Sequence, residues 1–328
     1  MAQDFQGNWF ITDIRDLIID GIWPTYVPPN NTPNAAWWAG GQIPSLTNVI
    51  QRTTFATDTV NASNRSALIA PTSTLVGASN DSFAWWAGGQ IPSLTNVIQR
   101  TTFATDTVDA SNRSALVAPT DQLADASNDS FAWWAGGSIP GSPNLTNVIQ
   151  RTTFATDTVN AINRSALSAP TYLLAGASNN SFAWWAGGLL LASPGITNVI
   201  QRTTFATDTV NAINRSSLIA LTHSLASASN NSFAWWAGGV IPASPRTNVI
   251  QRTTFATDTV NASNRSALVA PTSSLAGASN DSFAWWAGGL TPARTNVIQR
   301  TEFANDTVNA SNRSRLIAPT NGLAGASN

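Results

Sequence analysis

A pair of adjacent tryptophans returns six times along this chain, at 37–38, 85–86, 133–134, 184–185, 235–236 and 285–286. Each pair sits in the string FAWWAGG, except that Ala35 replaces the Phe in the first copy. Neighbouring side chains of a strand point to opposite faces. Two adjacent indoles therefore call for a fold that buries both faces of one short strand. The gain is large: a fully enclosed Trp removes roughly 150–250 Å² from water, about 4–6 kcal/mol as an upper bound.

The segment TNVIQRT follows every pair, starting at Thr47, Thr95, Thr146, Thr197, Thr247 and Thr295, so the repeat period is 48 to 51 residues. Within one unit, four strand-like runs are divided by turn residues. They are Thr74–Ser79, ending at an Asn-Asp hairpin; Ser82–Ala87, closed by Gly88-Gly89; Asn96–Ala104, rich in Val, Ile, Thr and Phe; and, after a Thr105-Asp106 turn, Thr107–Asn112. Helical periodicity is absent. Four short antiparallel strands at this spacing describe the blade of a β-propeller; a β-solenoid, the rival, has shorter coils. A propeller places each blade between two neighbours, so one indole packs on the preceding blade and the other on the following one. The structural core is then Trp37, Trp38, Trp85, Trp86, Trp133, Trp134, Trp184, Trp185, Trp235, Trp236, Trp285 and Trp286. The repeats open on a second strand, AAWWAGG, and close on a first strand, NGLAGASN. Both ends thus share one blade, giving an all-β, six-bladed ring of four-stranded blades over residues 35–328.

The strand ending in Gly-Gly, its variable loop and the VIQRTTFATDT strand pair resemble a kelch-type repeat, although Thr53, Phe55 and Val60 stand where that pattern has Tyr and Trp. The string RTTFATDTVNASNRSAL is closer to kelch-like repeats of tail-fibre and other virion proteins of tailed bacteriophages, cyanophages among them. The resemblance spans about 35–328. It implies a virion appendage protein, assembled in the host cytoplasm, present in several copies or as a homo-oligomer, whose partners are other virion proteins and a host surface glycan or receptor.

Residues 1–34 differ from the rest. Ile11, Ile14, Leu17 and Ile18 share one helical face, Gly21 stops the helix, and Trp23 opens a Pro-rich extended tether. A helix this short is unstable alone. It packs on the ring or docks into a partner.

Chemistry is sparse. Only 10% of residues are charged, all 16 basic residues are Arg, and every acid but Glu302 is Asp. Net charge near zero argues against nucleic acid as a partner. There is no Cys, no signal-peptide pattern and no apolar run long enough to enter a membrane. His223 and Glu302 occur in one unit each, so no catalytic set, metal site or cofactor is expected. The repeated Asp and Arg residues, as in Arg52, Asp58 and Arg65, read as hydrogen bonds pinning neighbouring blades. A ring of charge about the channel and a Ca²⁺ site are the alternatives.

Length varies in the loop after Gly-Gly, and the long versions, 138–145, 189–196 and 240–246, belong to consecutive blades. Leu189, Leu190 and Leu191 put three apolar residues in a row there, and Arg246 and Arg294 add charge. An apolar rim of this kind marks a contact surface; drift in a tolerant loop is the alternative. Two functions follow. One is a non-enzymatic virion protein that uses the ring to bind other proteins. The other is a multivalent glycan-binding propeller, which needs aromatic faces open to sugar.

Overall fold

The computed structural model describes residues 34–141, 144–191, 195–242 and 246–328. Six four-stranded antiparallel sheets follow one another. In the second blade, Val76–Ser79 pairs with Phe83–Ala87, then Val97–Thr102, then Ser111–Ala115. The first strands of all six lie side by side around a central channel. The ring closes as its ends foretell: Ala324–Ser327 pairs with Ala35–Ala39, with Gly325 opposite Trp38. This is a six-bladed β-propeller. The helix and tether expected before it, with Ile11, Ile14, Leu17, Ile18 and Trp23, lie outside the described residues.

The paired indoles sit between blades. Trp85 and Trp86 are 0% and 1% exposed. Trp85 shares a core with Trp134 and Phe154 of the third blade, and Trp86 shares one with Trp37 of the first. Every first indole therefore faces the next blade, and every second indole faces the one before. Each N–H finds an acceptor, as a buried indole requires. Trp86 donates to Thr101 Oγ1 within its own blade at 2.9 Å. Trp85 donates across the boundary to Asp157 Oδ2, also at 2.9 Å.

That second acceptor is the centre of a clasp repeated at all six boundaries. Asp157 also takes Arg100 Nη1 at 2.9 Å, Arg113 Nε at 2.9 Å and Arg113 Nη2 at 2.8 Å, all from the preceding blade. The repeated charges pin neighbouring blades and do not form a charged ring around the channel. Phe154 stacks on Trp85 with centroids 3.7 Å apart, and Arg100 lies over the Phe83 ring at 4.3 Å.

The clasp explains two boundary shifts. The third strand was expected to run to Ala104, but it stops at Thr102, and Phe103–Thr105 form a single 3₁₀ turn. The turn swings Phe103 onto Trp37 and sinks Asp106 to 3% exposure. The fourth strand was expected over Thr107–Asn112, but it begins at Ser111. The intervening residues reach back to the first blade, where Ala110 N–H donates to the Ala67 carbonyl at 2.9 Å. The Gly-Gly pairs end their strands for a double reason. Gly88 has φ +63°, and a Cβ on it would lie 2.3 Å from the Thr120 carbonyl oxygen, so only glycine fits.

Candidate functional site

The connection entering each blade and the loop after Gly-Gly meet on one face of the ring, at the channel mouth. Ser73, Asp121, Tyr172, His223, Ser273 and Asn321 occupy equivalent places there. Each pairs in antiparallel fashion with the residue after Gly-Gly: Asp121 with Ser138, Tyr172 with Leu189, His223 with Val240. One residue further on, Thr74, Gln122, Leu173, Ser224 and Ser274 all have φ of 54–56°, and Gly322 has 62°. Left-handed backbone is uncommon outside Gly and costs energy.

These six residues join hands. Gln122 N–H donates to the Thr74 carbonyl at 3.0 Å, Leu173 to Gln122 at 2.9 Å, Ser224 to Leu173 at 2.9 Å and Ser274 to Ser224 at 2.9 Å. Gly322 donates to Ser274 at 3.1 Å, and Thr74 to Gly322 at 2.8 Å. The result is a closed cycle of backbone hydrogen bonds that fixes the mouth while the side chains change from blade to blade, apart from the neighbours Ser224 and Ser274.

Those side chains are the most varied in a chain of near copies, and several are coupled. Arg246 Nε donates to Ser273 Oγ at 3.2 Å, and Arg294 Nε to Asn321 Oδ1 at 2.7 Å. The residue equivalent to these arginines beside Asp121 is Leu94. Asp121 is 4% exposed, its Oδ2 accepts from Thr74 Oγ1 at 3.2 Å, and its Oδ1 is buried without a partner. Burial pushes its carboxyl up, more than the Thr74 hydrogen bond lowers it. His223 Nδ1 lies 2.9 Å from Ser224 Oγ, and burial holds its ring below the usual imidazole range.

The leucine rim needs correction. Leu189 and Leu190 form a short ladder with Tyr172 and Thr171 and are half-buried. Leu191 alone of the three is exposed, at 58%. The strand pairing, which the run of three leucines conceals, turns the first two aside. Of the long loops, residues 142–143, 192–194 and 243–245 lie outside the described residues. Among the described residues, no group of three or more His, Cys, Asp or Glu side chains stands ready to hold a metal.

No family model matches this chain, and no curated protein matches it.

Apart from His223, noted as the lone histidine of one unit, the mouth residues at 73–74 and their equivalents were not singled out in the sequence. The signal was present: the dipeptide between Thr and Leu reads Ser-Thr, Asp-Gln, Tyr-Leu, His-Ser, Ser-Ser and Asn-Gly, within units otherwise almost copied.

Proposed function

We propose that the chain is a non-enzymatic structural protein of a tailed-phage virion, a rigid kelch-like disc that binds other virion proteins through its variable face. The observation that carries this reading is where the differences fall. The clasps, indoles and Gly-Gly pairs are copied from blade to blade. Asp121, Tyr172, Leu191, His223, Arg246 and Arg294 differ, and all lie on the face of the channel mouth. A surface of copied units whose differences gather on one face, with fewer elsewhere, suits a single asymmetric partner. A glycan platform would use open aromatic faces, whereas these twelve indoles are at most 2% exposed, which favours the protein-binding reading. The leader carrying Ile11, Ile14, Leu17, Ile18 and Trp23 is a second docking element in this proposal.

The test is to place the chain in an electron-microscopy map of an intact phage particle and to assemble particles with a Tyr172→Ser/Leu191→Ser variant. The expected result is density for the ring with its variable face against a neighbour, and at least tenfold lower incorporation of a variant that still folds. Density with that face turned to solvent, or unchanged incorporation, overturns the reading.

A further inference from the structure

Beneath the hydrogen-bonded cycle, the channel is a cavity of about 510 Å³ walled by the six first strands, which are mostly Ala, Gly and Ser. Its far mouth, a hollow of about 210 Å³, is ringed by the hairpin turns that carry Asp81, Asp129 and Asp281. Among the described residues, these three and Asp125 are the ionisable side chains lining the passage, and no Arg or His lines it. Asp125 is the anomaly. The equivalent residue is Gly77, Gly176, Ser227, Gly277 or Gly325 in the other blades. There the strands converge so closely that a Cβ on Gly176 would lie 2.1 Å from the Asp125 carbonyl oxygen. Burial pushes the Asp125 carboxyl up to about 7, and its own backbone N–H is the hydrogen bond that opposes the rise. At the mouth, burial and the neighbouring charge of Asp129 raise Asp81.

A carboxylate set in a narrow wall of small residues, with more carboxylates at the entrance and no basic residue to offset them, focuses negative potential along the axis. We propose that the channel binds a slender linear oligoamine, one ammonium at Asp125 and another at the mouth formed by Asp81, Asp129 and Asp281. Asp125 and Asp129 are four residues apart, at most ~13 Å along an extended chain, a span that a linear triamine covers. Ca²⁺ would need six to eight converging oxygens, with several carboxylates among them. Here Asp125 is the one carboxylate inside the passage and the other three are exposed on the hairpins of the mouth, and no three of them converge among the described residues. An ammonium group needs one carboxylate, and hydroxyl or carbonyl acceptors satisfy its other donors. Serine supplies these in a belt between the two acidic levels, where Ser127 Oγ donates to the Ser79 carbonyl at 3.1 Å and Ser178 Oγ to the Ser127 carbonyl at 2.8 Å.

The experiment is calorimetric titration of the full chain with spermidine and, separately, with MgCl₂ at matched ionic strength. One spermidine should bind per ring, at least tenfold more tightly than Mg²⁺. Asp125→Gly, which installs the residue of four sister blades and so preserves the fold, should weaken binding at least tenfold. Asp81→Asn/Asp129→Asn/Asp281→Asn, which copies the Asn at 180 and 231, should weaken it to a lesser degree. Failure of spermidine to bind, equal binding of Mg²⁺, or undiminished affinity in a folded Asp125→Gly protein overturns the proposal.

Discussion

Trp285 and Asp58 are 227 positions apart in the chain, yet the indole N–H of one donates to Oδ2 of the other at 3.0 Å. Arg300 and Arg313 complete the same clasp at 3.0 and 2.9 Å. The boundary between the sixth and first blades, across which the ring is closed, is thus chemically the same as the other five. Asp58 is buried, but Arg300 and Arg313 are 25% and 27% exposed, so removing its charge costs about 1.5–3 kcal/mol, the range for a hydrogen bond to a charged group. Asp58→Asn should therefore lower the free energy of unfolding in urea by that amount. Asp157→Asn, between the second and third blades, should lower it equally; an Asp58 variant with a much smaller cost would mean that the sixth and first blades are held in some other way.

Stability should depend on pH in two opposing ways. For Asp106, burial alone would raise the carboxyl, but Arg65, Arg52 and the Trp37 N–H together hold it below the usual range. Asp157, Asp208, Asp258 and Asp306 are lowered by the equivalent partners. A lowered folded pKa stabilises above the unfolded value of about 4 and loses that contribution as pH falls further. Asp125 acts in the other direction. Its folded carboxyl sits at about 7, so stability declines as pH rises from about 4 to 7, by at most ~4 kcal/mol. Melting temperature should peak near pH 4–5, fall steeply in stronger acid and fall gently toward neutrality. In Asp125→Gly the fall toward neutrality should shrink to the part carried by Asp121 and Asp81, whose carboxyls burial also raises, and the acid limb should remain.

Leu94 stands where Arg246 and Arg294 stand in two other blades, and it leaves the buried Asp121 without a cation. Leu94→Arg should supply one and add about 1.5–3 kcal/mol, the range for a hydrogen bond to a charged group. The gain should disappear in an Asp121→Ala background, which removes the acceptor; serine would not serve, since Arg246 donates to Ser273 in the same arrangement. A double-mutant cycle read by urea unfolding separates this coupling from any general effect of the arginine.

At the channel mouth, Ser274 has φ 55° and Gly322 has φ 62° in equivalent positions. Ser274→Gly should raise stability by about 0.5–1 kcal/mol, since the left-handed backbone no longer burdens a side chain. Gly322→Ser should lower it by about 1–2 kcal/mol for the same reason. Thermal denaturation of the pair checks both signs.

Much of the ring was legible before the structure. Twin indoles on one strand demanded blades on either side, and the split first and second strands announced the closing pair Ala324–Ser327 and Ala35–Ala39. The clasp was only half visible. Periodic Asp and Arg spoke of blade-to-blade hydrogen bonds, but sequence spacing could not show that Asp106 reaches back to Trp37, because the turn at Phe103–Thr105 redirects the chain. The cycle through Thr74, Gln122, Leu173, Ser224, Ser274 and Gly322 was hidden for a different reason. Its backbone geometry normally advertises itself through Gly, and five of its six members are not Gly. Leu189 and Leu190 misled because their pairing with Tyr172 and Thr171 depends on a neighbour from the preceding connection.

The cycle of left-handed residues also bears on where the polypeptide is cut. Since Thr74 binds Gly322 as each member binds its predecessor, the molecule has no privileged first blade. A circular permutant that joins residue 328 to residue 34 through a short linker, and opens instead in the hairpin at Asn179-Asn180, should fold to the same disc with its melting point little altered.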